Sequence, residues 1–172
     1  SLLEIIKKPA KGTNKIFVSI AAGISTSYIE KCLDNARVIR VMPNISARIG
    51  SGMTCLCKGQ FSSIEDLDIA EELFQYLGET LRIDEKMMNA VTAVSGSGPA
   101  YVCYFLEQDS EEFLRNFQVA TAAVGFNAQE AMLLTKTTYF GTKKYLENKE
   151  ISCSELIKQV ASKGGTTEAA LK

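Results

Sequence analysis

Two glycines followed by two threonines near the end of the chain form a group that could bind an anion. Residues 161–172 have the sequence ASKGGTTEAALK, in which Gly164 and Gly165 leave the backbone bare and Thr166 and Thr167 begin a helix. Backbone N–H groups and hydroxyls in such a segment can point together at one carboxylate or phosphate. A C-cap glycine followed by an N-cap threonine would give the same pattern without a ligand, so both interpretations stay open.

A second bare stretch lies between apolar segments, in the sequence AVTAVSGSGPAYVCYF over residues 90–105. Pro99 suits the first turn of a helix, so the pattern predicts a hinge at 95–98 between two helices. The hydroxyls of Ser95 and Ser97, with several N–H groups, would then lie at a helix N-terminus, where anions bind. A tight corner between two helices, which also needs small residues, is the alternative.

Small and polar residues also follow two strongly apolar segments that we expect to be buried strands. Ala22 and Gly23 follow the first segment, and Met42 and Asn44 stand at the end of the second. Ligands of open α/β sheets lie beyond the carboxyl ends of the strands. Small residues there let a flat ring approach the backbone, and an asparagine offers a donor and an acceptor. Ordinary turn formation, for which glycine and asparagine are suited, is the alternative explanation of the same residue types.

The elements that must position these residues divide into an α/β part and an all-α part. Unbroken apolar runs predict residues 16–22 and 37–42 as adjacent central strands of a parallel sheet, joined by the short helix YIEKCL. Strand signals end after Asp84, so we place a domain boundary near that residue. Further strands are predicted at 52–59 and 79–84, and helices at 64–77, 85–94, 99–124, 128–147 and 153–161, with a last helix from 167. Glu85 begins the first helix beyond the boundary; it is a candidate site residue, or a first-turn acid that the helix dipole favours.

The composition excludes several kinds of functional site. The 172 residues are 46% apolar and 23% charged with a net charge of −1, which indicates a globular protein without a basic surface for nucleic acid. The chain has no histidine, and this excludes the Ser-His-Asp triad, the Cys-His pair and most zinc and non-haem iron sites.

The cysteines and the apolar runs predict where the protein works. Five scattered cysteines are typical of a reducing compartment, and Cys55 with Cys57 is only a weak metal signal, so we expect no metal site. No apolar run reaches the roughly 18 residues of a membrane span, and no signal peptide is visible. We therefore expect a cytoplasmic protein with neither a membrane nor a nucleic acid as partner.

Taken in order, several segments of the chain resemble the pyrroline-5-carboxylate reductase family. They are VSIAAGIS (18–25), RVIRVMPN (37–44), DEKMMNAVTAVSGSGPAYV (84–102), VGF (124–126) and ASKGGTTEAAL (161–171). The segment AVTAVSGSGPAY, followed at a distance by GGTT, is highly specific to this family. The resemblance implies a partial Rossmann dinucleotide-binding domain over 1–83 and a helical domain for dimerisation and substrate binding over 84–172.

The resemblance also implies a reaction, in which hydride passes from NADPH or NADH to the C=N bond of 1-pyrroline-5-carboxylate and gives L-proline. By match of motif, Thr167 would hydrogen-bond the ring nitrogen, and the amides of 164–167 would hold the carboxylate. The residues implied are Thr167 and Glu150 for catalysis, Glu85, Ser95, Ser97, Gly164, Gly165, Thr166 and Thr167 for substrate, and Ala22, Gly23, Met42 and Asn44 for the cofactor. The family pairs through its helical domain, so we expect a homodimer or higher oligomer.

This sequence also departs from the family pattern. The family's phosphate-binding glycine loop and its last helices have no counterpart here, so we expect a chain truncated at both ends. Between Glu107 and Gly125 the chain is about eight residues longer than the family pattern, which predicts a break at Asp109-Ser110 with Ser110 capping a restarted helix. Lys163 and Cys153 stand in place of two family prolines. A non-catalytic helical dimerisation module with a remnant α/β half is the alternative function.

Overall fold

The computed structural model describes residues 2–10, 12–106, 109–162 and 164–171. In chain order the main elements are α1 (Leu2–Ala10), β1 (Ile16–Ser19), α2 (Thr26–Cys32), β2 (Arg37–Pro43), β3 (Gly52–Lys58), α3 (Ile64–Gln75), β4 (Gly78–Arg82), α4 (Met88–Val91), α5 (Gly98–Tyr104), α6 (Ser110–Ala123), α7 (Ala128–Lys149), α8 (Cys153–Val160) and α9 (Thr166–Ala170). Short 3-10 helices lie at Ile45–Ile49 and Glu85–Met87, and a π-helical turn lies at Thr92–Gly96. None of the helices in these ranges is long and apolar enough to cross a membrane.

The four strands form one mixed sheet in the order β1-β2-β3-β4. Strands β1 and β2 are adjacent and parallel, with Val18 opposite Ile39, as predicted. Strand β3 runs antiparallel to β2, with Val41 opposite Leu56, and β4 is parallel to β3. The prediction of an all-parallel sheet was therefore wrong in its second half. The first strand is also shorter than expected, and within the described residues it lies at the edge of the sheet rather than at its centre.

The short connection between β2 and β3 explains why the sheet is mixed. A parallel pair needs a crossover of a dozen or more residues, whereas only residues 44–51 separate these two strands. Asn44 caps the 3-10 helix Ile45–Ile49, and Gly50 closes it with a φ of 68°, a left-handed conformation that glycine adopts without strain. The chain reverses there, and β3 returns beside β2.

The sheet is covered on both faces, and each face has its own apolar core. On one face, helix α3 packs against β2 and β3; that core consists of Ile39, Val41, Leu56, Leu67, Ala70 and Phe74. On the other face, Met42 and Met53 pack against the helical part through Met88, Val91 and Leu134. An α/β part followed by a helical part was predicted, and this arrangement confirms that class.

The chain from Glu85 to Tyr104 follows an almost continuous helical path, so the predicted hinge at 95–98 was wrong. The backbone widens into the π-helical turn, in which the Ser97 N–H donates to the Thr92 carbonyl. The small residues serve close packing instead: a Cβ atom on Gly98 would lie 2.6 Å from Cγ2 of Thr138 in α7. The alternative explained the small residues by close helix packing, and such packing forms between α5 and α7, although the chain makes no corner at 95–98.

The extra segment after α5 does interrupt the helix that the sequence pattern suggested for 99–124. Helix α5 ends at Tyr104 and α6 begins at Ser110, while Glu107 and Gln108 lie outside the described residues. The cap is Asp109 rather than Ser110, because the Asp109 carboxylate accepts from the N–H groups of Glu111 and Glu112. A carboxylate at this position also favours the positive end of the helix dipole.

An ion pair joins the start of the helical part to the sheet. The Glu85 carboxylate accepts from the Thr26 N–H at 2.7 Å, from the Thr26 hydroxyl at 2.6 Å, and from Nη1 of Arg40 at 3.2 Å. Partial burial disfavours the charged form, but the hydrogen bonds from Thr26 and the pairing with Arg40 outweigh it and lower the pKa of Glu85. Arg40 is 4% exposed, and among the described residues its Nε and Nη2 have no hydrogen-bond partner. Glu85 is therefore the charged group that makes the burial of Arg40 tolerable.

We expect Glu85→Gln to lower the free energy of unfolding by roughly 1–3 kcal/mol at neutral pH, because it leaves the buried Arg40 without a charged acceptor. The folded-state pKa of Glu85 is lowered, so its contribution is full above the ordinary pKa of a glutamate and is lost as the pH falls through the folded-state value. Urea unfolding of both proteins between pH 7 and about pH 3 measures this difference.

The control is Glu72→Gln, which removes the same charge from an exposed position on α3. That change should leave stability nearly unaltered. Equal stability of Glu85→Gln and the native protein at pH 7, or a difference that persists undiminished at acid pH, would contradict this account of the junction.

Candidate functional site

A cleft of about 670 Å³ lies where the turn after β2, the π-helical turn and the segment after α8 meet. It brings together residues from both ends of the chain that were predicted separately. The predicted residues that line it are Ala22, Met42, Asn44, Ser97, Gly165, Thr166 and Thr167. Its position at the carboxyl end of β2 is where open α/β sheets bind ligands.

Asn44 lines this cleft, and its side chain forms hydrogen bonds with other residues of the protein. Its amide oxygen accepts from the N–H groups of Ser46 and Met53, both at 3.2 Å, and its amide nitrogen donates to the Ser95 hydroxyl at 3.4 Å. The side chain is 6% exposed. The donor and acceptor that the sequence offered for a ligand are thus occupied, and the role this geometry gives Asn44 is to fix the turn and the helix above it.

Thr167 and Ser97 connect the glycine–threonine segment at 161–172 with the serine- and glycine-rich stretch at 90–105. The Thr167 hydroxyl donates to the Ser97 hydroxyl over 2.8 Å, although 70 residues separate them along the chain. Both side chains are buried, at 6% and 1% exposed. The hydroxyl proton of Thr167 points toward Ser97, so its oxygen keeps lone pairs that can accept from a ligand.

Ser95 lies behind this pair rather than at the cleft surface. It is fully buried, and its hydroxyl accepts from Asn44 and, at 3.5 Å, from the Thr138 hydroxyl of α7. Three elements therefore converge on one side chain. The role that this geometry supports for Ser95 is to hold the π-helical turn in place, and its predicted contact with substrate stays a prediction.

The amides of the glycine–threonine segment are only partly free to bind an anion. The Gly164 N–H donates to the Glu168 carboxylate at 2.6 Å, and the Gly165 N–H donates to the Ser162 carbonyl at 2.9 Å. Thr166 and Thr167 are the first residues of α9, so their N–H groups have no acceptor within that helix. Of the four amides at 164–167 that were predicted to hold the substrate carboxylate, the candidates are therefore those of Thr166 and Thr167.

Arg48 is a feature of the cleft that sequence reasoning missed. It is exposed in the 3-10 helix after β2 and is the sole ionisable side chain among the described residues of the lining. No spacing rule singles it out, because only the turn capped by Asn44 carries it to the cleft. Its guanidinium suits an anionic ligand, and hydroxyl and amide groups around it can orient such a ligand.

Several predicted residues do not reach the cleft. Glu85 is engaged at the junction with Thr26 and Arg40, and Glu150 is an exposed residue in the left-handed conformation that ends α7, with a φ of 50°. Gly23 and Gly164 adopt left-handed turns, each with a φ of 73°, and are absent from the described lining. The roles that the resemblance implies for these residues stay predictions.

No metal site forms within the described residues, where no three side chains of the ligating types come together. Cys55 and Cys57 are both buried on β3, and burial raises the pKa of each thiol to about 12. Such thiols remain protonated and are poor metal ligands and poor nucleophiles. The cleft can therefore position and polarise a ligand, but around it the structure describes no side chain that exchanges protons near neutral pH.

A double-mutant cycle on Ser97→Ala and Thr167→Val tests whether the contact between the two hydroxyls stabilises the fold. A buried hydroxyl–hydroxyl bond should give a coupling of about 0.5–1.5 kcal/mol in the free energy of unfolding. Combining Thr167→Val with Ser63→Ala, which removes the cap of the distant helix α3, should give additive losses. Additivity in the Ser97–Thr167 cycle as well would show that the two hydroxyls do not interact.

Comparison with known proteins places these segments in a family. A family model described as pyrroline-5-carboxylate reductase dimerisation matches residues 85–172. The pyrroline-5-carboxylate reductase of Aquifex aeolicus is 34% identical over 170 residues, which are 98% of this chain and 61% of that relative.

Solved structures give the same result. A pyrroline-5-carboxylate reductase from Coxiella burnetii matches with a TM-score of 0.58 and 31% identity, over 99% of this chain and 61% of that one. A pyrroline carboxylate reductase from Plasmodium falciparum with NADP bound matches with a TM-score of 0.55 and 25% identity, over 98% and 64%. The chain thus spans less than two thirds of the length of each of these relatives. Because the family model covers more than half of the chain and its relatives match nearly all of it, the chain belongs to the pyrroline-5-carboxylate reductase family.

Proposed function

We propose that the protein containing this chain is a pyrroline-5-carboxylate reductase of proline biosynthesis. In this reaction the carbon of the C=N bond of 1-pyrroline-5-carboxylate gains a hydride, the ring nitrogen ends as a secondary amine with its proton, and L-proline results. The observation that carries the proposal is the contact of Thr167 with Ser97, which places the family's two most specific segments at one cleft.

The direction of that hydrogen bond supports a role for Thr167. Because its hydroxyl donates to Ser97, its oxygen can accept from the N–H of a protonated imine. The protonated form is the one that accepts hydride readily, since its carbon is the more electrophilic. Thr167 would thus bind the reactive form of the substrate, with Ser97 as the residue that orients the hydroxyl.

The lining of the cleft offers partners for the substrate carboxylate. The N–H groups of Thr166 and Thr167 lie at the start of α9, and Arg48 supplies a positive charge from the 3-10 helix after β2. Holding a carboxylate and a ring nitrogen at once fixes the ring, and fixing reactants in one geometry supplies much of the rate of such reactions. An ionisable acid or base is not required when the proton already resides on the imine.

The lining also fits a nicotinamide cofactor, either NADPH or NADH. The lining includes an open apolar surface beside the turn of Asn44, formed by Ile20, Ala22 and Pro43. Ile20 is 63% exposed, and Ala22 is small and exposed. A flat ring can lie on such a surface without a clash. The bound cofactor would supply the hydride. These residues of the chain would exclude water from one face of the ring and keep it beside Thr167.

Self-association is part of the proposal. The matched family model concerns dimerisation, and the helical part exposes large apolar side chains, among them Val119 at 70% and Phe140 at 56%. A homodimer or higher oligomer would cover these side chains. We place the enzyme in the cytoplasm, with a small molecule as its substrate and with no nucleic acid or membrane as partner.

Thr167→Val tests the proposal in the complete protein that carries these residues. It keeps the shape of the side chain and removes the hydroxyl, so we expect a loss of roughly ten- to a hundredfold in kcat/KM for the imine, since a bond to a charged group contributes about 1.5–3 kcal/mol. The assay follows the oxidation of NADPH or NADH that depends on 1-pyrroline-5-carboxylate.

Thr142→Val is the matched control, because Thr142 is also buried, and the one hydrogen bond that its hydroxyl makes within the described residues is to the Thr138 carbonyl of the same helix. It should lower stability somewhat and leave kcat/KM nearly unchanged. If Thr167→Val behaved in the same way, with a lower melting temperature and normal turnover, Thr167 would be a structural residue alone. A complete protein that binds cofactor but turns over no imine would favour the non-catalytic dimerisation module.

A further inference from the structure

Two cysteines that the proposed reaction does not use meet beneath the wall of the cleft. Cys103 lies in α5 and is 7% exposed, whereas Cys153 is the first residue of α8 and is half-buried. Both belong to one apolar cluster, which also contains the fully buried Leu156. The two thiols are free in this structure and interact with each other.

We propose that Cys103 and Cys153 are a reversible disulfide-forming pair, which low-molecular-weight disulfides such as oxidised glutathione convert into a cross-link between α5 and α8. The two helices pack directly against each other, and the two cysteines are 50 residues apart in the chain. A bond between them would therefore join two separate helices and close a long loop.

The unequal burial of the two thiols assigns their roles. Cys153 is reached from solvent, so it meets the oxidant first. Burial raises the pKa of the Cys103 thiol, and its hydrogen bond with Cys153 raises it further, so Cys103 stays protonated until a disulfide forms beside it. Cys153 is thus the attacking residue and Cys103 the resolving one.

The chemistry proceeds in two exchanges. The Cys153 thiol gives up its proton to solvent, and its sulfur attacks one sulfur of oxidised glutathione. This breaks the S–S bond, forms a mixed disulfide and releases one glutathione thiolate, which takes up a proton from solvent. The Cys103 sulfur then gives up its proton to a thiolate or to solvent, attacks the Cys153 sulfur and displaces the second glutathione. Two electrons pass from the two cysteines to the oxidant, which leaves as two molecules of glutathione.

The cross-link would act on the cleft because both helices lead into it. Helix α5 begins directly after Ser97, and the end of α8 contributes Gln159 and Val160 to the lining. The segment that follows α8 carries Thr166 and Thr167. Oxidation would thus link α8, which leads into the segment with Thr166 and Thr167, covalently to α5, which begins directly after Ser97.

The other cysteines do not share this arrangement. Cys55 and Cys57 are on the same strand, two residues apart, and both are buried, so oxidants do not reach them. Cys32 lies at the end of α2, away from this cluster, and is half-buried like Cys153. Cys32 is therefore the matched control, because its burial is similar to that of Cys153 but it lies outside the cluster that contains Cys103 and Cys153.

The experiment incubates the chain in glutathione buffers of increasing oxidised fraction, blocks the remaining thiols and maps disulfides by mass spectrometry of non-reduced digests. We expect Cys103 joined to Cys153 as the intramolecular disulfide in most of the protein, fully reversed by excess reduced glutathione. Cys32→Ser should leave this cross-link unchanged, and Cys153→Ser should leave Cys103 unmodified.

Cys103→Ser should stop the reaction at the mixed disulfide on Cys153, which separates the two steps. A native chain in which Cys153 carries glutathione while Cys103 stays a free thiol, or in which the two cysteines form no disulfide at a glutathione ratio that modifies Cys32, would overturn the proposal. Hydrogen exchange of the α8 amides should slow on oxidation, and equal exchange in both forms would refute the effect on the cleft wall.

Discussion

The side chain of Asn44 is the polar centre on which the arrangement of the cleft depends. Its oxygen accepts two backbone N–H groups across the turn after β2, so the chain reverses and β3 returns antiparallel to β2. Its nitrogen donates to Ser95 and thereby joins the sheet to the π-helical turn. Ser97 lies two residues further on, where it meets Thr167. One amide thus determines where a strand end, a helix and the last threonines come together.

The apolar contacts supply most of the stability, and the polar contacts select the geometry. Met53, Met88 and Leu134 are fully buried between the sheet and the helices, but side chains of this kind tolerate small shifts in register. Hydrogen bonds and ion pairs do not, because a buried donor without an acceptor destabilises the fold. The pair of Arg40 with Glu85 plays this part at the junction, as Asn44 does at the cleft.

Local signals in the sequence sufficed for the elements but not for how they meet. The apolar runs at 16–22 and 37–42 follow from residue type, and both form strands, although the first strand ends at Ser19. The direction of β3 depends on the length of the connection at 44–51. The residue pattern within β3 carries no information about that length. The π-helical turn depends on Thr138, more than 40 residues later in the chain, so a bare stretch at 95–98 resembled a hinge when read alone.

The same distinction holds for the site. Thr166, Thr167 and Ser97 were singled out by residue type and by family resemblance, but their meeting across 70 residues is a tertiary fact. Arg48 carries no motif and reaches the cleft only through its turn, and Glu150 fits the family pattern but lies exposed at the end of α7.

The most direct measurement is a crystal structure of the complete protein with a nicotinamide cofactor and L-proline bound. We expect the proline carboxylate within hydrogen-bonding distance of the Thr166 and Thr167 amides, and the proline nitrogen beside the Thr167 hydroxyl, which still contacts Ser97. Proline bound elsewhere, for example in the polar cleft between Arg82 and Glu130, with Thr167 making no contact to it, would contradict the account.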